Sequence, residues 1–181
     1  FCINHRHHLL LCSVCSIRKP IMKSIILALC LFCLGATYYV SPTGSSGNTG
    51  LVPASPWPID YAMLHISASN TVVALPGTYS NQVIIRKSYT TLISPTKWLA
   101  KIYAPVGLNA SDISVWPAPI DHVTIDGFEV GYSGQSAIQI YGSNVTVRNC
   151  WIHDSGQGHN VNNGSAVLTV TPQYNTLVER C

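Results

Sequence analysis

VTIDGFEV (Val123–Val130) is written again as VTVRNCWI (Val145–Ile152) and once more, in part, as TLVERC (Thr176–Cys181). The first two copies lie 22 residues apart and the next two 31. Between them a second pattern recurs, SAIQI at Ser136–Ile140 and SAVLTV at Ser165–Val170. Self-similarity at a period of roughly 20 to 50 residues is the mark of a solenoid, in which each repeat buries its apolar side only against its neighbours.

The repeat is made of strands. In the first copy Val123, Ile125, Phe128 and Val130 are apolar, while Thr124, Asp126 and Glu129 are polar. That is the period of two that a half-buried strand requires, with one slip at Gly127. The second copy turns Val145, Val147, Cys150 and Ile152 inward and Thr146, Arg148 and Trp151 outward, with the slip at Asn149. Gly and Asn reach left-handed backbone angles at low cost, so each slip reads as a bend between two short strands. A third strand, Ala137–Ile140 or Ala166–Val170, closes the turn. Three short strands in 22 residues make one coil of a parallel β-helix, with like positions of successive coils about 4.8 Å apart. Phe128, Cys150 and Cys181 are then expected to stack inside one tube. A leucine-rich repeat would need a Leu/Asn consensus that is absent. A β-sandwich would space its strands by roughly 8 to 12 residues without superimposable motifs.

The chain of 181 residues suits one domain. Met22-Lys23-Ser24 followed by the apolar run Ile25–Leu34 and then Gly35-Ala36 reads as a secretory signal peptide over 22–36, with residues 1–21 as upstream sequence. No membrane span is expected once it is cleaved. His5, His7, His8, Cys12 and Cys15 crowd into eleven residues with no folded spacer, so they are not expected to hold zinc. From Thr37 onward there are six Lys and Arg against seven Asp and Glu, a net charge of −1. The basic charge of the whole chain therefore belongs to its first 36 residues, and nucleic-acid binding loses its support. Only Cys150 and Cys181 follow Thr37, and both are expected as free, buried thiols.

Taken in order, Thr37 begins an extended segment that runs into a Gly/Ser/Asn loop at Gly44–Gly50. Pro58 starts a short helix to about Ile66, with Ile59, Ala62 and Ile66 on one face, capping the first coil. Thr71–Leu75, Gln82–Ile85 and Thr90–Ile93 are expected as the three strands of the first full coil, with a turn at Pro76-Gly77. Lys101-Ile102-Tyr103 continues the coil, and 107–119 is expected as a loop carrying Trp116. The chain stops part-way through a repeat at Cys181, which reads as a fragment of a longer protein.

From Thr37 the chain resembles the secreted right-handed parallel β-helix proteins of the pectate-lyase-like superfamily, and most of all polysaccharide lyase family 9 and its uncharacterised relatives. The carrying residues are YYVSPTGSSGNTG (Tyr38–Gly50), PWPIDYA (Pro56–Ala62), NTVVALPGTY (Asn70–Tyr79), VTIDGFEV, SNVTVRNCWIHD (Ser143–Asp154) and TLVERC. Ser46 departs from the pattern, since relatives often carry Asp there. The resemblance implies an all-β, right-handed single-stranded parallel β-helix (a pectin-lyase-like solenoid) with a short N-terminal capping helix. It also implies a secreted (extracellular or periplasmic) location, a uronate-rich polysaccharide as partner, and β-elimination by a Lys or Arg base. The family's calcium is possible in the full-length protein, although no cofactor is identifiable in this chain. In the family 9 pattern those acids and that base lie on later coils, and none carries over to a position here.

What can be placed is a ladder of Asp126, Arg148 and Glu179, expected side by side on a solvated face. Arg148, His153 and Asp154 are candidate catalytic groups, and Trp151, Glu129 and His159 candidate substrate-binding groups; no metal-ligating residues are identified. Trp151 is expected outward in register with Glu129, free to stack on a sugar ring or covered by the loop HDSGQGHNVNNGS (His153–Ser165). Three functions follow in order: a polysaccharide lyase, a non-catalytic β-helix for glycan binding or adhesion, and a glycoside hydrolase, for which no paired carboxylates are found. A monomer is expected.

Overall fold

The structure is a computed structural model that describes residues 35–181 apart from 105–109, 118, 158–163 and 171–173. The expected leader up to residue 34, the His5–Cys15 cluster and His159 lie outside the described residues. Fourteen strands and one helix are described, and every strand pair among them is parallel. No helix among the described residues is long and apolar enough to cross a membrane.

The chain winds through three sheets in turn. β1 (Thr37–Val40) is followed by α1 (Ile59–His65), which packs against the strands of the first coil and buries Ile59, Ala62 and Met63. One coil then runs β2 (Thr71–Ala74), β3 (Gly77–Tyr79), β4 (Val83–Ile85), and the next β5 (Thr91–Ile93), β6 (Ala100–Ile102), β7 (Ile113–Val115). The repeats that open the sequence reading supply β8 (Asp121–Asp126), β9 (Glu129–Gly131), β10 (Ile138–Ile140) and then β11 (Ser143–Arg148), β12 (Trp151–His153), β13 (Val167–Thr169). β14 (Leu177–Glu179) begins another turn. The first sheet is ordered β1-β2-β5-β8-β11-β14, the second β12-β9-β6-β3 and the third β13-β10-β7-β4. This is a parallel β-helix.

Register fixes the core. Val72, Leu92, Ile125 and Val147 are Cα partners in a column of the first sheet, and all four are fully buried. Val83, Ile113 and Ile138 form the corresponding column of the third sheet, fully buried as well. β-branched side chains dominate these columns because they pack well on a pleated surface. The bends fall where the pattern slips: Gly127 has φ +85° and Asn149 φ +55°. A Cβ on Gly127 would stand 2.5 Å from the Ser94 carbonyl oxygen, so glycine is required there on two counts.

Asp126 is placed outward by alternation, yet it is 9% exposed. Its two oxygens accept from Arg148 Nε at 2.8 Å and from Asn149 Nδ2 at 2.7 Å, which ties one bend to the next. The expected ladder is therefore in register but not continuous: Glu179 meets Arg180 at 2.8 Å, while Arg148 turns to Asp126.

Three other expectations change. Thr91–Ile93 does not close the first full coil but opens the second, because it pairs with β2 in the first sheet. The missing strand is β3: Gly77, at φ +140°, donates its N–H to the Leu99 carbonyl at 2.9 Å, so Pro76-Gly77 is a corner between sheets. The segment expected as an irregular loop contains β7, whose three residues are too few to reveal a period. Cys150 is buried as expected, and burial pushes its thiol up to about 12. Cys181 is free but exposed, because β14 has a paired neighbour on one side only. The loop after β1 is held without an acid at Ser46: Asn48 Nδ2 donates to Pro56 O at 2.8 Å and Trp57 Nε1 to Asn48 O at 2.6 Å.

Phe128 is the largest fully buried side chain among the described residues. Replacing it with Ala is expected to cost about 3–5 kcal/mol in urea unfolding, since neighbouring coils held by their own ladders can collapse only partly into the cavity. A loss below about 1 kcal/mol would contradict a packed interior at this position.

Candidate functional site

Outward positions of the second sheet form rows in the same way. Thr78, Lys101, Glu129 and Trp151 are successive Cα partners. Two residues further along the strands come Tyr103, Gly131 and His153. Gly131 gives His153 its room, because a Cβ there would lie 2.8 Å from His153 Cε1.

Glu129 is the hub of this face. Lys101 Nζ stands 2.9 Å from its Oε2, the Tyr103 hydroxyl donates to its Oε1, and His153 Nε2 lies 3.4 Å from the same oxygen. Burial alone would raise the carboxyl pKa, but the hydrogen bonds from Tyr103 and Lys101 and the Lys101 charge overcome it and hold it below the usual range. Tyr103 is driven well above the ordinary phenol range by burial and by the carboxylate it donates to. His153 Nδ1 is held by Asp154 Oδ2 at 2.8 Å, and its ring sits among Tyr132 (5.3 Å), Trp151 (4.7 Å) and Tyr103 (6.1 Å).

Asp112 lies beneath, fully buried. Its Oδ1 accepts the Ala104 N–H at 2.7 Å, and its Oδ2 has no partner among the described residues. Burial pushes the carboxyl up to about 7, against the pull of that hydrogen bond and of His153. Asp112 and Glu129 both act on Tyr103, yet burial moves the first up toward neutrality while its partners hold the second below the usual range.

The third sheet carries a shallow groove of about 230 Å³, lined by Gln82, Ile84, Ser114, Trp116, Gln139 and Tyr141. Ile84, Ser114 and Gln139 are one outward row of Cα partners; Trp116 and Tyr141 follow the buried row Ile85, Val115 and Ile140. The Arg86 guanidinium sits 5.9 Å over the Trp116 ring, whereas Lys101, Arg148 and Arg180 each meet a carboxylate. Gln82 Nε2 donates to Ser114 Oγ at 3.4 Å and Ser111 Oγ to Gln139 Oε1 at 3.3 Å. A calcium ion takes six to eight oxygens. Among the described residues no three His, Cys, Asp or Glu side chains are placed to hold a metal ion, so these residues do not build such a site.

Of the candidate residues, the structure brings Glu129, Trp151, His153 and Asp154 to one face. Trp151, for which exposure and cover were both open, is half exposed, whereas Glu129 is buried under its partners and is not an open glycan contact. Arg148 stands apart, on β11, with its guanidinium on Asp126. Of the loop expected beside Trp151, residues 158–163 lie outside the described residues, while Gly156 and Gln157 donate to the carbonyls of Gln135 and Ser133. Lys101 and Tyr103 were missed as site residues. AKIY (Ala100–Tyr103) laid on FEVG (Phe128–Gly131) would have found them, because Ile102 and Val130 are partners. Arg86 and the groove carried no motif.

No protein-family model matches the chain, and no curated protein matches it. Among solved structures it is similar to the crystal structure of pectate lyase Pel9A, with a TM-score of 0.55 and 22% sequence identity. The match covers 67% of this chain and 34% of that one. The fold is thus a pectate-lyase-like parallel β-helix, and the chain spans about a third of the length of that structure.

Asp112 sets a pH dependence of defined sign. Between its ordinary value of 3.8 and about 7 the unfolded chain has released this proton while the folded chain keeps it. Stability from this group therefore falls as pH rises through that window, by about 1 kcal/mol per unit, and is flat above it. Glu129 has the opposite sign, losing its contribution only as pH falls below the carboxylate range. Urea unfolding at pH 5 and pH 8 is expected to show Asp112→Asn losing less stability than the wild type across that interval. Equal losses would show that Asp112 does not titrate there.

Proposed function

We propose that the chain is part of a secreted carbohydrate-active β-helix protein that holds a uronate-containing glycan in the groove of the third sheet and acts on it by β-elimination. The observation that carries the reading is the pairing of Arg86 with Trp116 beside two amides and two hydroxyls. A uronate ring offers an apolar C–H face, several hydroxyls and one carboxylate. Trp116 would take the face, Gln82, Gln139, Ser114 and Tyr141 the hydroxyls, and Arg86 the carboxylate. Placing a guanidinium on that carboxylate also makes the neighbouring C–H more acidic. A base can then remove that proton, the glycosidic oxygen on the next carbon leaves, and an unsaturated uronate remains. On this reading the base stands on a coil other than those described, and Arg148, His153 and Asp154, which do not line the groove, are not it.

The second reading, glycan binding without turnover, is favoured by one observation. Lys101 and Arg148, the cations nearest the candidate acids, are each closed onto a carboxylate and not poised as bases.

Titration calorimetry with oligogalacturonate is expected to show binding that weakens about tenfold in Arg86→Ala and in Trp116→Ala, with the Arg86 effect shrinking as salt is added. Wild-type affinity in both variants would remove the groove from the function. Formation of an unsaturated product, followed by ultraviolet absorbance on uronate polymers, separates the lyase from the binding protein.

A further inference from the structure

The geometry points to a second carbohydrate site, for neutral pyranose residues, beside the second sheet at Trp98 and Trp151; it goes beyond the uronate groove and does not depend on it. Both indoles are open to solvent, Trp98 at 44% and Trp151 at 50% exposure. Their ring centroids are 6.2 Å apart and their planes meet at 61°.

Neither ring is loose. Trp98 donates its backbone N–H to Gly127 O at 2.7 Å and its indole N–H to Asn149 O at 2.9 Å, so it is pinned to the bends of two later coils. Its φ of +65° is an uncommon conformation for a bulky residue, and these contacts impose it. Trp151 packs on His153 at 4.7 Å, and His153 is itself held by Asp154. A protein that needed only to cover its core would fold such rings inward. Here the chain orders them in the open, and a rigid exposed aromatic surface loses little entropy on binding.

Charge decides which sugar fits. Lys101 is neutralised by Glu129 at 2.9 Å and Arg148 by Asp126 at 2.8 Å. Lys97 adjoins Trp98 in sequence and Asp154 holds His153 beside Trp151, so the two add one charge of each sign. Among the described residues a uronate would find here no guanidinium over an indole like Arg86 on Trp116. A neutral pyranose matches instead: its C–H face lies on indole, and its hydroxyls reach the half-exposed Lys101 ammonium, which donates, and the Asp154 carboxylate, which accepts.

The test is titration calorimetry of the full chain with cellohexaose and mannohexaose, and with oligogalacturonate as the contrast. One or both neutral oligosaccharides are expected to bind the wild type, and the Trp98→Ala/Trp151→Ala double variant to lose that binding by about tenfold or more. Trp116→Ala should leave it unchanged. Trp98→Phe/Trp151→Phe keeps a ring at each position and should retain part of the affinity, which separates a lost platform from a misfolded chain. Neutral-sugar binding untouched by the double variant, equal weakening by Trp116→Ala, or binding of oligogalacturonate alone would each overturn the site. So would absence of sugar binding together with self-association that the double variant abolishes, since the rings would then be seating a second copy.

Discussion

A coil of this protein can bury its valines and isoleucines only against those of the next coil, so parallel register is the constraint on which everything else rests. Each inward position must be apolar on every coil, because a column is as dry as its neighbours make it. Val72, Leu92, Ile125 and Val147 obey that rule in one sheet and Val83, Ile113 and Ile138 in another. Where the path must turn, side chains cannot supply the core and the backbone takes over. Gly127 bends without a Cβ, and Asn149 bends while donating back to Asp126, so one carboxylate ties two corners together.

The same register that makes dry columns inside makes mixed rows outside, and the chemistry lies in the rows. A partly buried outward row desolvates its charges without isolating them. Lys101, Tyr103 and His153 converge on Glu129 for that reason, while burial raises the Asp112 carboxyl, whose Oδ2 has no partner among the described residues. The third sheet leaves a guanidinium over an indole, the second closes Lys101 onto Glu129 and the first closes Arg148 onto Asp126. Two faces of one tube thus differ in what they can attract, although both offer exposed tryptophan.

How much of this the sequence revealed follows from spacing. Coil repeats along the first sheet are 20, 33, 22 and 31 residues. The 22-residue coil superimposes Val123–Val130 on Val145–Ile152 by eye, so its columns, its bends and the partnership of Glu129 with Trp151 could be read directly. The 33-residue coil hides β7 and displaces Lys101 by 28 positions from Glu129, and no local pattern announces that the two meet. Alternation also told direction but not depth. It turned Asp126 and Glu129 outward correctly, yet whether an outward side chain is wet depends on the long residues of adjacent coils that fold over it. Arg148 and Tyr103 do that here. The groove was illegible because Gln82, Ser114, Gln139 and Arg86 are ordinary surface residues one at a time and become a site only in register.

The fold supplies a long surface on which successive coils can present successive contacts, and a linear polymer is the ligand that such a surface suits. Backbone nuclear Overhauser contacts in solution probe the underlying register most directly. If coils stack as described, the strand around Val147 shows parallel contacts to Ile125 on one side and to Val178 on the other, and Leu92 shows them to Val72 and Ile125. Antiparallel contacts between any of these strands, or no contact between Val147 and Ile125, would contradict the stacked tube and both of its faces.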